Sequence, residues 1–292
     1  MNSSQLIPYL EELRGRPLFF QPNPGNAGDA LIAVATLDLF KRLGLKVKMF
    51  SPASIPLPAG AVLVHTGGGG FWGDNRVVID FLRTWAPRAS RVVLLPQTIT
   101  GHEQLLADLP EHVHLFCRER VSYDYLQGLP LKAQVFLDHD VALYLPARQW
   151  LARFGPLRLL LLTPSRGFKG LRRYRAAIRA HPGATTLAAW RGDDEARDLS
   201  RRQRVARAAD VSRNFSLGWR RRRFLIASAW FWLKFIDRYT HVQTDRLHVG
   251  IGAALLGKSV HLHPNRYFKN RAVYEHSLKH SFPNVHWAGD PQ

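Results

Sequence analysis

The segment Thr244-Asp245-Arg246-Leu247-His248-Val249-Gly250 sets a guanidinium and an imidazole two residues apart, where a short strand gives way to a helix. Arginine offers a planar fork suited to a carboxylate or a phosphate. Histidine titrates near neutrality and can act as a general acid. The competing reading is a histidine satisfied within a core; the helix-start position and the arginine two residues earlier favour a site. Gly25-Asn26-Ala27-Gly28-Asp29 also sits between a strand and a helix. Glycines there let backbone N–H groups approach an anion at a helix N-terminus, and Asp29 can cap the helix or polarise a hydroxyl. A plain capped turn is the alternative. The segment is neither a Walker loop nor the spaced dinucleotide fingerprint.

Four consecutive glycines, Gly67 to Gly70, follow another strand. Such a run is entropically costly to order, so it marks a backbone that must pass very close to a ligand or to another chain segment. Leu95-Pro96-Gln97-Thr98 ends the next strand and puts Gln97 and Thr98 at the same C-terminal edge. Arg118, Glu119 and Arg120 end the strand after that, as a substrate-facing ion network or as ordinary surface pairs. Asp138-His139-Asp140 reads as a capped turn in preference to a metal site. With Cys117 the only cysteine, neither an intrachain disulfide nor a cysteine-based zinc site can form.

These residues need a scaffold that brings strand ends together. Pro17–Gln21, Lys46–Phe50, Ala61–His65, Arg91–Leu95, His112–Arg118 and Ala133–Leu137 read as strands. Asp29–Leu43, Asn75–Trp85, Glu103–Leu109 and Ser122–Leu126 read as the helices between them. The alternation restarts after Pro146. Leu157–Thr163 reads as a buried strand, followed by helix Arg172–Ala180, strand Thr185–Ala189 and a basic helix Glu195–Ala209. Helix Arg220–Tyr239, strand Thr240–Thr244, helix Asp245–Leu256, strand Ser259–Leu262 and helix Asn270–His280 complete the chain. Short apolar strands alternating with helices predict α/β lobes with parallel, doubly wound sheets. We place the boundary between residues 1–146 and 147–292, with ligands expected in a cleft between the lobes.

The chain has 292 residues, 46% hydrophobic and 22% charged, which excludes a mainly disordered protein. Its net charge of +19 is uneven. Residues 1–150 carry 14 basic and 13 acidic groups, whereas residues 151–240 carry 21 and 6. Either an arginine-preferring composition or a face that attracts anions accounts for this. Arg220-Arg221-Arg222-Arg223 precede the apolar, aromatic run Phe224–Leu233. That run is too short to span a bilayer. It suits either an anionic membrane surface met by Arg220–Leu233 or a helix buried in the protein. No nucleic-acid module is present, so nucleic acid is not an expected partner. The single cysteine fits a reducing cytosol, and the first 22 residues, with Glu11 and Glu12, lack the apolar core of a signal peptide.

Taken together, Gly25-Asn26-Ala27-Gly28-Asp29 with Ala30-Leu31-Ile32, Gly67–Gly70, Leu95-Pro96-Gln97-Thr98, Arg118-Glu119 with Ser122, Asp138 with Asp140, and Thr244-Asp245-Arg246-Leu247-His248 resemble the polysaccharide pyruvyl transferase family, in family order over roughly 20 to 280. The resemblance implies two Rossmann-like lobes in a glycosyltransferase-B-like arrangement. It implies transfer of the carboxyethylidene group of phosphoenolpyruvate to a sugar of an exopolysaccharide or other surface polysaccharide precursor, free or lipid-linked. A pyruvate ketal and phosphate would result. Arg246, the Leu247 backbone and His248 would contact phosphoenolpyruvate, and Arg166, expected just after strand Leu157–Thr163, is the match for a second donor-binding arginine. We expect His248, Arg246 and Asp29 to be catalytic, and Asn26, Gly28, Gly68, Gly69, Gln97 and Arg118 to bind substrate. No metal and no cofactor beyond the donor is expected, and the setting is the cytoplasm, peripheral to the inner face of the membrane. A nucleotide-sugar-dependent glycosyltransferase of similar fold is the alternative.

Overall fold

A computed structural model describes residues 4–50, 56–73, 76–192 and 210–289. The chain divides into two compact units, Met1–Asn23 with Ala35–Tyr144, and Pro24–Val34 with Leu145–Gln292.

The first unit is built on strands β1 (Leu18–Gln21), β2 (Val47–Met49), β3 (Val62–His65), β4 (Gly68–Phe71), β5 (Arg91–Ile99), β6 (Val113–Cys117) and β7 (Gln134–Leu137). They form one parallel sheet in the order β2-β1-β3-β5-β6-β7, with β4 paired to the end of β5. Strand order reverses between β1 and β3, whose C-terminal ends pair Gln21 with His65. β1, β3 and β6 are buried throughout, as covering a parallel sheet on both faces requires. Helix α1 (Leu6–Glu11) precedes β1, and α2 (Ala27–Arg42), α3 (Arg76–Trp85), α4 (Glu103–Ala107) and α5 (Arg120–Gln127) follow in turn. α3 sinks Val78, Ile79, Phe81 and Leu82 into the core beside Leu63, Val92 and Leu94. Its Arg76, Asp80 and Arg83 face outward, a helical division of apolar and charged positions.

The second unit carries a four-stranded parallel sheet in chain order: β8 (Thr186–Ala189), β9 (His241–Thr244), β10 (Ser259–Leu262) and β11 (Val285–Trp287). Its helices are α6 (Ala147–Ala152), α7 (Pro156–Leu162), α8 (Pro164–Arg179), α9 (Val211–Asn214), α10 (Arg222–Ile236) and α11 (Leu247–Leu255). After these, α12 (Lys269–Val273) and α13 (Lys279–Ser281) flank a π-helical turn over Tyr274–Leu278. Two units with parallel sheets are the expected α/β architecture, Rossmann-like and fitting a glycosyltransferase-B-like fold.

Several expectations change. Leu157–Thr163 is not a strand but helix α7, opened by Pro156 at its first turn, where a missing N–H costs nothing. Its leucines are strong helix formers, and the run contains no β-branched residue before Thr163. Arg166 therefore lies inside α8, without the strand end that made it a donor-binding candidate. The glycine run is itself largely strand β4. The helix expected over Asn270–His280 is interrupted by the π turn, and β11 and α1 were not anticipated. The basic helix read over Glu195–Ala209 lies outside the described residues. The aromatic run of α10 faces inward: Phe231, Trp232 and Leu233 are fully buried and the Trp230 indole N–H donates to Leu151 O at 3.2 Å. An anionic surface approaching here would meet the exposed Arg220–Arg223, not the aromatics.

Candidate active site

Within the second unit, the start of α2 is held by a reciprocal cap. The Asn26 side-chain oxygen accepts from Gly28 N at 2.7 Å, and Asp29 Oδ2 accepts from Asn26 N at 2.9 Å. Each carboxyl or amide oxygen thus satisfies a helix-start donor that would otherwise have no partner in the helix. A side chain at position 25 would collide with the Asp29 carboxylate, which explains Gly25. Ser216 Oγ donates to Gly25 O at 2.9 Å and pins the loop from α9's far side. Of the two roles open to Asp29, capping is the one this geometry displays.

The other half of the site comes from the end of β9. Thr244 Oγ1 donates to Ala189 O at 2.6 Å and accepts from Arg246 N at 3.0 Å, fixing the turn into α11. Arg246 occupies the N-cap position and is 4% exposed. Its Nη2 donates to Asp210 Oδ2, while Asp210 Oδ1 caps α9 by accepting from Ser212 N and Arg213 N at 2.9 and 3.2 Å. Asp245 is buried and accepts from Arg191 N at 2.8 Å; burial pushes its carboxyl above the usual range. Asn270 Nδ2 donates to Asp245 O and His263 O at 2.7 and 2.9 Å, tying together the chain ends that leave β9 and β10. Leu247 and His248 form the first turn of α11.

The two halves meet. A Cβ placed on Gly28 would lie 2.9 Å from His248 Cβ and 3.1 Å from His248 Nδ1. The first turns of α2 and α11 are therefore in contact, with Arg246 and a half-buried imidazole beside them. Two positive helix ends, a guanidinium and an imidazole make a setting for an anion that must also receive a proton.

The first unit gathers a second polar cluster at the C-terminal ends of its strands. Arg118, fully buried, donates from Nε to Thr98 Oγ1 at 2.9 Å and from Nη1 to Asp140 Oδ2 at 2.8 Å. Gln97 Nε2 donates to Thr66 O at 3.0 Å. Gln21 Oε1, Thr66 Oγ1, Gln97 Oε1 and Arg118 Nη2 are buried without a hydrogen-bond partner among the described residues. Gly67 lies against the Pro96 carbonyl, where a side chain would clash, and Gly68, at φ +125°, pairs with Gln97. The glycine run thus passes close to another chain segment, one of the two reasons expected of it, with Gly69 continuing the strand.

Other candidates engage structural partners. Glu119 caps α5, accepting from Ser122 N at 2.9 Å, and burial raises its pKa. Asp138 accepts from Leu6 N at 2.7 Å and Ser4 Oγ at 2.9 Å, anchoring α1. Among the described residues no group of three or more histidine, cysteine or acidic side chains could hold a metal ion. The Arg166 guanidinium lies 5.4 Å over the Phe224 ring, in company with Arg221 and Arg223. Sequence reasoning missed Asp210, Ser216 and Asn270. Asp210-Val211-Ser212-Arg213 has the look of a helix cap, but nothing local signals that its carboxylate also holds Arg246.

A model of the family described as polysaccharide pyruvyl transferase matches residues 26–262, a span that contains both Asn26 and His248. No curated protein matches the chain. A functionally uncharacterised protein of Klebsiella pneumoniae subsp. pneumoniae NTUH-K2044, solved by crystallography, is 27% identical, with a TM-score of 0.75 and full coverage of both chains. With the family model spanning most of its length and both elements of the α2–α11 site, the chain belongs to the polysaccharide pyruvyl transferase family.

Proposed function

We propose that this transferase moves the carboxyethylidene group of phosphoenolpyruvate onto two hydroxyls of a sugar in a surface polysaccharide precursor. The observation that carries the reading is the contact of Gly28 with His248 beside Arg246. Phosphoenolpyruvate brings a carboxylate and a phosphate, the charges that a guanidinium and two helix N-termini attract. His248 gives a proton to the methylene carbon, and positive charge develops at the neighbouring carbon that bears the carboxylate and the phosphate ester. Arg246 steadies the carboxylate and the departing phosphate. One sugar hydroxyl adds to the cationic carbon and its proton restores the one His248 gave up. A second hydroxyl then displaces phosphate, which takes up that hydroxyl's proton, and the cyclic ketal closes. Asp29 acts as a positioning residue, through the cap that holds Gly28 against His248.

The acceptor falls to the first unit. The buried, unpartnered atoms of Gln21, Thr66, Gln97 and Arg118 include both acceptors and donors. That mixture matches sugar hydroxyls, which do both, better than it matches an anion. Gly68 and Gly69 would offer backbone contacts at the same edge.

The test is phosphate release from phosphoenolpyruvate over a panel of acceptor glycans, comparing wild type with His248→Ala and titrating donor binding in the same samples. We expect acceptor-dependent release that falls by about 10² to 10⁴ in the variant while donor binding persists. Near-wild-type release by His248→Ala would remove the acid role. Failure to bind phosphoenolpyruvate, with binding of a nucleoside diphosphate instead, would replace the reaction with nucleotide-sugar transfer.

A further inference from the structure

The second unit exposes apolar side chains where a soluble surface normally would not. Leu157 and Leu161 of α7 are 70% and 76% exposed, and Phe168 of α8 is 64% exposed. Leu157 and Leu161 are one helical turn apart and share a face. Of α7's five leucines, Leu159 alone is fully buried; Leu162 is 41% exposed. The hairpin between the two helices is tight. A Cβ on Gly167 would sit 2.9 Å from Leu159 O, and Gly170 rests directly on Phe231 of α10. α8 thus turns Gly167 and Gly170 inward and leaves Phe168 outside.

Cations surround this apolar edge. Arg166, Arg221 and Arg223 share the Phe224 ring at 5.4 to 5.9 Å, which joins the start of α8 to the arginine run that opens α10. Arg158 stands between the two exposed leucines in sequence and is itself exposed. The Lys169 ammonium is pushed below its ordinary range, first by Arg173, with burial, Arg166 and Arg172 adding to it, so cations of α8 crowd one another here. Among the described residues no helix is long and apolar enough to cross a membrane.

We propose that the α7–α8 hairpin docks this protein on an anionic lipid bilayer, inserting Leu157, Leu161 and Phe168 while Arg158, Arg166 and the Arg220–Arg223 run meet the headgroups. The charge selects the occupant. A second copy of the chain would set arginine against arginine across the same face, and a polyanion such as nucleic acid would give the leucines nothing to bury against. A bilayer surface answers both features: negative charge at the headgroup level and hydrocarbon just beneath it. The aromatic run of α10 is the hidden support of this surface, since Phe231 carries Gly170. The docking is independent of the reaction proposed above, so the two stand or fall separately.

The experiment is flotation of the full chain with phosphatidylcholine vesicles and with vesicles also containing phosphatidylglycerol. Wild type should float with the anionic vesicles only, and less so as salt rises. Leu157→Asn/Leu161→Asn/Phe168→Ser should lower that binding by about tenfold or more, with an unchanged melting curve because the three side chains are exposed. A second measurement places the contact. Cys117 is the only native cysteine and is buried, so Leu161→Cys can be labelled with a polarity-sensitive fluorophore, whose emission should shift to shorter wavelength on anionic vesicles. Absence of flotation, flotation unaffected by the triple variant, or a label that stays in water would each overturn the proposal. So would a self-associated wild type that the triple variant turns into monomers without any change in flotation.

Discussion

A Cβ on Gly28 would stand 2.9 Å from the Cβ of His248, so glycine at this position is what allows the first turns of α2 and α11 to touch. The Gly28 backbone is not in the left-handed region, so alanine would be accepted by the chain locally, and helix propensity would even favour it by about 1 kcal/mol. The obstacle is His248, together with Asn26 Oδ1 at 3.0 Å. Since a Cβ cannot swing aside as a side-chain tip can, Gly28→Ala must move the imidazole or open the cap. We expect kcat to fall at least about tenfold, as small misplacements of reacting groups do, with a melting temperature within a few degrees of wild type. Steady-state kinetics beside a thermal melt check this; an unaltered kcat would separate His248 from the chemistry.

Asp210 is asked to do two things at once, capping α9 through Oδ1 and receiving Arg246 through Oδ2. Asp210→Asn separates them. Asparagine caps a helix as well as aspartate does, so stability should change by less than about 1 kcal/mol. The charge-assisted bond from Arg246 to Asp210 is weakened to a neutral one. The expected result is a KM for phosphoenolpyruvate raised about tenfold, with kcat less affected. A proportional loss of folded protein in a urea titration would instead reduce Asp210 to its capping role.

How far these arrangements were legible in the sequence follows from what each depends on. β1, β3, β5 and β6 were readable because strands covered on both faces leave continuous apolar runs, and Val-Leu-Val or Val-Val-Leu-Leu advertises them. Leu157–Leu162 defeated the same rule. A short leucine run broken only by Arg158 has no clear period, and the exposure of Leu157 and Leu161 goes with the helix. Gly67–Gly70 announced a close approach, but the Pro96 carbonyl that causes it lies on another strand. The site pieces could be named one by one, since caps and strand ends have local signatures. That Gly28 touches His248, or that Asp210 holds Arg246, depends on tertiary packing of distant segments, which spacing does not encode.

Arg118 and Asp140 form an ion pair at 2.8 Å with both side chains fully buried. Removing one partner strands the other charge away from water, which costs far more than the intact pair contributes. Asp140→Ala also deletes the oxygen that accepts from Ala142 N at 3.0 Å. We expect a loss of about 3 to 5 kcal/mol in urea unfolding. Asp140→Ala combined with Arg118→Met should recover part of it, because the buried cation is then gone. A loss below about 1 kcal/mol in the single variant would mean that water reaches Arg118.

Burial of His65 makes the stability of the fold depend on pH. The imidazole is wholly buried at the end of β3, 4.6 Å from the Phe81 ring, and its Nδ1 donates to Thr66 O at 3.1 Å, the only direction open toward a carbonyl. Burial disfavours the charged form and brings its pKa down from 6.5 to about 4. Between those values the unfolded chain binds a proton that the folded chain refuses, so stability rises with pH there and is complete above 6.5. As pH falls from 6.5 toward 4, His65 alone should remove stability on the order of 3 kcal/mol. His114, also brought down to about 4 by burial, adds to the slope in the same window. Urea unfolding at a series of pH values should show His65→Leu with a shallower slope than wild type, the remainder combining His114 with the opposing contribution of the raised Glu119 and Asp245 carboxyls. The absolute stability of the variant is immaterial, since the slope reports the proton. Identical slopes in the two proteins would mean that His65 is protonated in the fold.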